Sequence, residues 1–196
     1  MATSLKRIRE EARACQDCPL WANATQTVFG AGDPHARVML VGEQPGDKED
    51  LEGHPFVGPA GRILDRALDE AGVDRNLAYV TNAVKHFKWE PRGKRRMHKT
   101  PAQQEVDACR QWLERELEAI HPALVVGLGA TAARSLMGRT IKLAEMRGKI
   151  IERQEQPCLL LTVHPSYILR VPPENRQAVF DELVADLKIA AHHLQR

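Results

Sequence analysis

The chain has 196 residues, 43% of them apolar, enough to enclose one substantial core, and a single domain over residues 1–196 is expected. A formal net charge of +2 and a pI near 8.4 are mild, so attraction to polyanions must come from local clusters, of which Arg92 to Lys99 is one. No apolar run approaches the ~20 residues that span a bilayer and no N-terminal signal segment is evident, which excludes a membrane partner and predicts a cytoplasmic location.

The first chemical signal along the chain is Cys15-x-x-Cys18. With Cys109 and Cys158 it makes four cysteines, which in an apparently intracellular chain argue for metal ligation over disulfides. The CxxC spacing alone leaves zinc, redox and iron-sulfur sites open. A short apolar run at Val38 to Val41 predicts a buried strand, and GEQPG (Gly42 to Gly46) follows it as a tight turn with exposed backbone amides. Phe56, between Pro55 and Gly58 in a loop, is placed either to stack on an extruded base or to fold back onto the core.

Apolar spacing of three and four predicts a helix over Gly61 to Ala71, then a strand over Ala78 to Thr81 ending at Asn82. A side-chain amide there offers one donor and one acceptor, able to pair with a base edge such as the O4 and N3–H that uracil and thymine share, so a steric filter would be needed to tell such bases apart. Lys85 to Lys99, basic and broken by Pro91 and Gly93, reads as a long exposed loop. Thr100 and Pro101 predict the cap and first turn of a helix running to Ile120. Leu124 to Val126 reads as a third strand. It is followed by Gly127 to Ala132 (GLGATA) and a helix over Ala130 to Met137. GLGATA fits a dinucleotide fingerprint, but no acidic residue completes the unit, and the zinc deaminase pairing is absent. A fourth strand at Leu159 to Val163 leads into HPS (His164 to Ser166), and an amphipathic helix from Asn175 to Leu194 closes the chain.

Strands alternating with helices predict a parallel sheet in an α/β/α sandwich, whose ligands bind beyond the carboxyl ends of the strands. The residues to read are therefore Gly42 to Gly46, Asn82, Gly127 to Gly129 and His164 to Ser166. The histidine, fixed by the following proline, is suited to donate a hydrogen bond to a carbonyl oxygen that gains charge.

GEQPGDKEDLEGHPFVGPAGRIL, TNAVK, GLGATAA and HPSYILR, in this order, resemble the uracil-DNA glycosylase superfamily, close to its iron-sulfur bacterial branches. The likeness runs from about Cys15 to Leu194. It implies a three-layer α/β/α fold with a central four-stranded parallel sheet, GEQPG and HPS as the active-site motifs, Phe56 stacking on uracil and Asn82 reading its edge. Gly42 and Gln44 would border the base.

The resemblance also implies a [4Fe-4S] cluster. Cys15, Cys18 and Cys109 match three ligand positions, and the fourth, a cysteine in those relatives, is His86 here. Ligation by His86 is inferred, with an outside fourth ligand as the alternative; Cys158 is expected to pack. The segment Lys94 to Lys99 (KRRMHK) lengthens this region and closely resembles the covalently trapping branch known as UdgX, in which the matching histidine, His98, is the nucleophile.

On that reading His164 and backbone amides near GEQPG stabilise the departing uracil anion, and His98 attacks C1′ of the sugar. Glu43 accepts the proton, Gln44 and Asp47 shape the pocket, and Lys94, Arg95, Arg96, Lys99, Ser166 and Arg170 contact DNA, whose single-stranded form is expected to be accepted by a monomer. The competing expectations are a multiple-turnover glycosylase whose basic loop only grips DNA, and a non-catalytic iron-sulfur or zinc module that binds nucleic acid.

Overall fold

A computed structural model describes residues 4–195. In chain order the elements are α1 (Leu5–Ala12), β1 (Ala31–Gly32), β2 (Val38–Gly42), α2 (Asp47–Glu52), α3 (Pro59–Ala71), β3 (Ala78–Asn82), β4 (Trp89–Arg92), β5 (Arg95–His98), α4 (Gln103–Ile120), β6 (Leu124–Leu128), α5 (Gly129–Met137), α6 (Leu143–Met146), β7 (Ile150–Ile151), β8 (Cys158–Thr162), α7 (Pro165–Arg170) and α8 (Arg176–Leu194).

Four parallel strands in the order β3-β2-β6-β8 form the centre of the sheet, and β1 and β7, two residues each, add antiparallel edges to make a mixed six-stranded sheet. The centre is the sheet expected from sequence; the two short edges carry too few residues to leave a period-two signal. Every residue of β2, β3 and β6 is buried, which is why these strands read as unbroken apolar runs.

Alternation along the strands divides the core in two. Val38, Leu40, Val80, Val126 and Leu160 pack with Leu64, Leu68, Phe180 and Leu187 of α3 and α8. Met39, Val41, Tyr79, Val125, Leu159 and Leu161 pack with Leu113 and Ile120 of α4 and with Ala132 and Ala133 of α5. This is the three-layer α/β/α fold expected from the sequence. Among the described residues no helix is long and apolar enough to cross a membrane.

Two local expectations need correction. Helix α4 starts at Gln103, not Pro101, because its cap is Ala102, whose N–H is taken by the Glu105 carboxylate at 2.6 Å. Lys85 to Lys99 is no long exposed loop. Val84, Lys85, His86 and Phe87 are buried, and β4 and β5 pair as an antiparallel hairpin turned at Gly93, whose φ of +61° suits glycine.

Candidate active site

The register places Gly42 opposite Asn82 at the carboxyl ends of β2 and β3. A cleft of about 740 Å³ opens there, lined among others by Glu43, Gln44, Asp47, Phe56, Asn82, His98, His164, Ser166 and Arg170. The predicted catalytic and base-reading residues therefore meet at one edge of the sheet.

Glycine at position 42 is required by close approach: a Cβ would stand 2.4 Å from Asn82 Oδ1 and 2.7 Å from Phe56 Cζ. Phe56 is held with φ +58°, a left-handed conformation costly for an aromatic residue. Gly61 accommodates it, since a Cβ there would strike the Phe56 carbonyl. Glu49, buried, accepts from the N–H of Gly46 at 3.1 Å and of Gly58 at 2.7 Å, tying the GEQPG turn to the Phe56 loop. The Phe56 ring is part of the core, as one of its two expected placements has it, stacks at 6.2 Å from the His164 ring, and lines the cleft as well.

His164 caps α7, its Nδ1 accepting the Ser166 N–H at 3.1 Å, with Ser166 Oγ at 2.8 Å. In a neutral ring with Nδ1 as acceptor the proton sits on Nε2, which makes that atom a donor. Burial, helped by Arg170 and His98 and opposed by Glu43, drives the His164 pKa from 6.5 to about 4. Folding favours the neutral ring, so its contribution to stability is complete above pH 6.5 and is lost as pH falls toward 4. Urea titrations should accordingly show the stability of the parent over His164→Gln constant at neutral pH and shrinking between pH 6.5 and 4. A constant difference throughout would sink the assignment. Within GLGATA, Gly129 serves this residue: at φ +87° it leaves the space in which a Cβ would stand 2.8 Å from His164 Cβ.

The hairpin brings His98 to the cleft. Its Nε2 lies 3.0 Å from Glu43 Oε1, and Glu43 Oε2 accepts from Thr131 at 2.5 Å. Burial alone would raise the Glu43 pKa, but the hydrogen bonds from His98 and Thr131 and the two imidazoles outweigh it, and the carboxyl titrates below its ordinary value.

Gln44, besides lining the cleft, and Arg96 hold the hairpin in place. The Gln44 amide donates to the carbonyls of Lys88 and Lys99 and accepts the Lys88 N–H, so it staples the two ends of the hairpin. Arg96 is turned away from solvent, paired with Asp47 and Asp50, each at 2.6 Å, and lies over the rings of Phe87 and Trp89. Lys99 pairs with Glu90 at 2.8 Å. Lys94 and Arg95 stand exposed at the hairpin tip beside Arg92, and Arg170 is exposed at the cleft. Arg96→Ala should leave the fully buried Asp50 with only the Thr25 N–H, costing about 2–3 kcal/mol. Hydrogen exchange of the 89–98 amides should then accelerate well beyond that of the central sheet; equal protection would show that Arg96 does not hold the hairpin.

A second constellation lies behind the site. Cys15, Cys18 and Cys109 share an apolar nest with Ile8, Leu20, Val106 and Trp112. Trp112 Nε1 donates to Cys15 Sγ at 3.1 Å, and the Lys85 N–H to Cys109 Sγ at 3.2 Å. Burial pushes the Cys109 thiol up to about 12 against the pull of Lys85, with Cys18 and Cys15 adding to the rise. His86 joins from the strand side: Thr27 links its Nε2, at 2.9 Å, to the Ala12 carbonyl one turn before Cys15. Its Nδ1 is buried without a hydrogen-bond partner. Burial, against the charge of Asp50, lowers its pKa, which favours the neutral, ligating form. No three His, Cys, Asp or Glu side chains among the described residues are grouped to hold a single metal ion. Three thiols in one apolar nest and a buried imidazole nitrogen without a hydrogen-bond partner are donors of the kind an iron-sulfur cluster takes. Cys158 opens β8 and packs against the core.

The model of the uracil DNA glycosylase superfamily matches residues 29–188. The chain belongs to that superfamily. Its sequence is 38% identical to the type-4 uracil-DNA glycosylase of Thermotoga maritima over 164 residues, 83% of this chain and 82% of the relative. The type-4 uracil-DNA glycosylase of Sulfurisphaera tokodaii is 35% identical over 187 residues, 91% of this chain and 81% of the relative. The type-5 uracil-DNA glycosylase of Thermus thermophilus is 35% identical over 140 residues, 64% and 59% of the two chains. Glu49, Thr131 and the Arg96 ion pairs escaped sequence reading. Only Glu49, in a short helical turn rich in carboxylates, left any trace.

Proposed function

We propose that this protein excises uracil from DNA as one glycosylase domain and captures the resulting sugar on His98. The observation that carries the reading is the His98 imidazole, held 3.0 Å from Glu43 at the cleft that Phe56, Asn82 and His164 line. Phe56 and His164 flank the base, and Asn82 addresses its O4 and N3–H edge. His164, neutral and donating through Nε2, receives the charge that develops on uracil O2.

The covalent step balances within the site. A ring nitrogen of His98 gives its lone pair to C1′ while the C1′–N1 bond breaks and its electrons leave with uracil. The remaining ring N–H proton passes to Glu43, which is ionised and hydrogen-bonded to that ring. Lys94 and Arg95 at the hairpin tip, with Arg170 and Ser166 at the cleft, contact the flanking phosphates of single- or double-stranded substrate.

Cys15, Cys18, Cys109 and His86 would hold the [4Fe-4S] cluster. When bound, it would supply redox-capable iron and cross-link the α1 end and α4 through thiolates and the β3–β4 connection through the His86 imidazole.

Similarity to the type-4 enzymes favours a second reading, multiple-turnover hydrolysis with the hairpin only gripping DNA. Incubation with uracil-containing single-stranded DNA and electrophoresis under denaturing conditions separates the two. A shifted band that survives heat and detergent supports capture, whereas abasic product without a shifted band overturns it.

A further inference from the structure

Thr131 stands in the first turn of α5, inside the GLGATAA segment. The glycines of that segment are accounted for by packing, Gly127 against Leu161 and Gly129 against His164. The hydroxyl is not. It is buried, yet it points neither to solvent nor back along its own helix, as helical threonines commonly do. It donates instead to Glu43 Oε2, across from the oxygen that meets His98.

A glutamate has three side-chain torsions, and one hydrogen bond leaves its carboxylate free to swing about that contact. Donors on both oxygens fix its plane. The Glu43 backbone is anchored as well, its carbonyl accepting the Val84 N–H at 3.0 Å. The groups that face the carboxylate are therefore His98 on the hairpin, Thr131 on α5 and His164 after β8.

We infer that Thr131 is a positioning residue for the His98–Glu43 pair: its hydroxyl holds one carboxylate oxygen so that the other faces the imidazole and receives its proton. The inference rests on His98 being the nucleophile. Thr131 itself exchanges no proton.

Two variants isolate the hydroxyl from the methyl. Thr131→Val keeps shape and removes the donor; Thr131→Ser keeps the donor and removes the methyl. The expected single-turnover rate of adduct formation falls about tenfold or more in the valine variant, with the DNA concentration for half-maximal rate nearly unchanged, and returns to within about threefold of the parent in the serine variant. Carbon-13 NMR titration of the Glu43 carboxyl gives a readout apart from activity. Its midpoint should rise by about one pH unit in Thr131→Val and stay near the parent value in Thr131→Ser. A valine variant with parental rate and midpoint overturns the inference, as does the reverse order of the two variants, which would mark a packing role. If the parent gives only free abasic DNA, the nucleophile reading itself has failed, and the inference falls with it.

Discussion

Replacing Lys85 with methionine should lower the midpoint of thermal unfolding by about 10–15 °C, a larger loss than any surface substitution in this chain would give. Lys85 and Glu116 are both 0% exposed. The ammonium has three protons and three acceptors: Thr81 Oγ1 at 2.7 Å, the Asn82 carbonyl at 2.8 Å and Glu116 Oε2 at 2.5 Å. Glu116 accepts in addition from the Gly30 N–H at 3.0 Å and the Tyr79 hydroxyl at 2.9 Å. Burial, with the charge of Glu116, raises the Tyr79 pKa, so the phenol stays protonated and is the donor. Removing the lysine leaves a carboxylate without its counter-charge in the core, which costs about 3–5 kcal/mol. The double variant Lys85→Met, Glu116→Leu should recover part of the loss, because a buried ion pair exchanged for apolar groups is often nearly neutral. Recovery stays incomplete, since the Gly30 N–H, the Tyr79 hydroxyl and the Asn82 carbonyl lose partners at about 1–3 kcal/mol each. Thermal and urea unfolding at pH 7 check this. A single variant within about 2 °C of the parent would show that the pair contributes little.

This network also shows where sequence reading stopped. The four central strands were legible because each is buried on both faces and reads as a continuous apolar run, and the residues after them fell at one sheet edge because parallel topology requires it. Gly42, Asn82 and His164 could thus be named from their places at strand ends. Lys85 was hidden for the opposite reason. A lysine in a stretch of basic residues reads as solvated, and only the acidic partner 31 positions away on α4, brought close by packing, explains its burial. The β4–β5 hairpin was missed because Pro91 and four cations obscure its alternation, while the forces that fold it, the Gln44 staple and the Arg96 ion pairs, come from residues 44 to 50. Thr131 was invisible because a hydroxyl acquires a role only through the side chain it meets.

The same hairpin sets the expected result for His98→Ala, loss of at least about a hundredfold in adduct formation on uracil-containing DNA. Affinity for that DNA should change only a few-fold, because Phe56, Asn82 and His164 stand on other elements and the His98 side chain, 40% exposed, carries little of the fold. Removing the imidazole takes one hydrogen bond from Glu43 and leaves the Thr131 contact, so the carboxylate stays in place beside newly opened space. Water entering that space meets the base that served His98 and can attack C1′ in its stead, giving free abasic DNA. On the proposed capture mechanism, the variant should therefore carry out slow hydrolysis, seen as released uracil with no heat-stable band. Full cross-linking by the variant would place the nucleophile elsewhere. Loss of DNA binding would make His98 a recognition residue instead, and the 3.0 Å contact with Glu43 would then serve only to orient it.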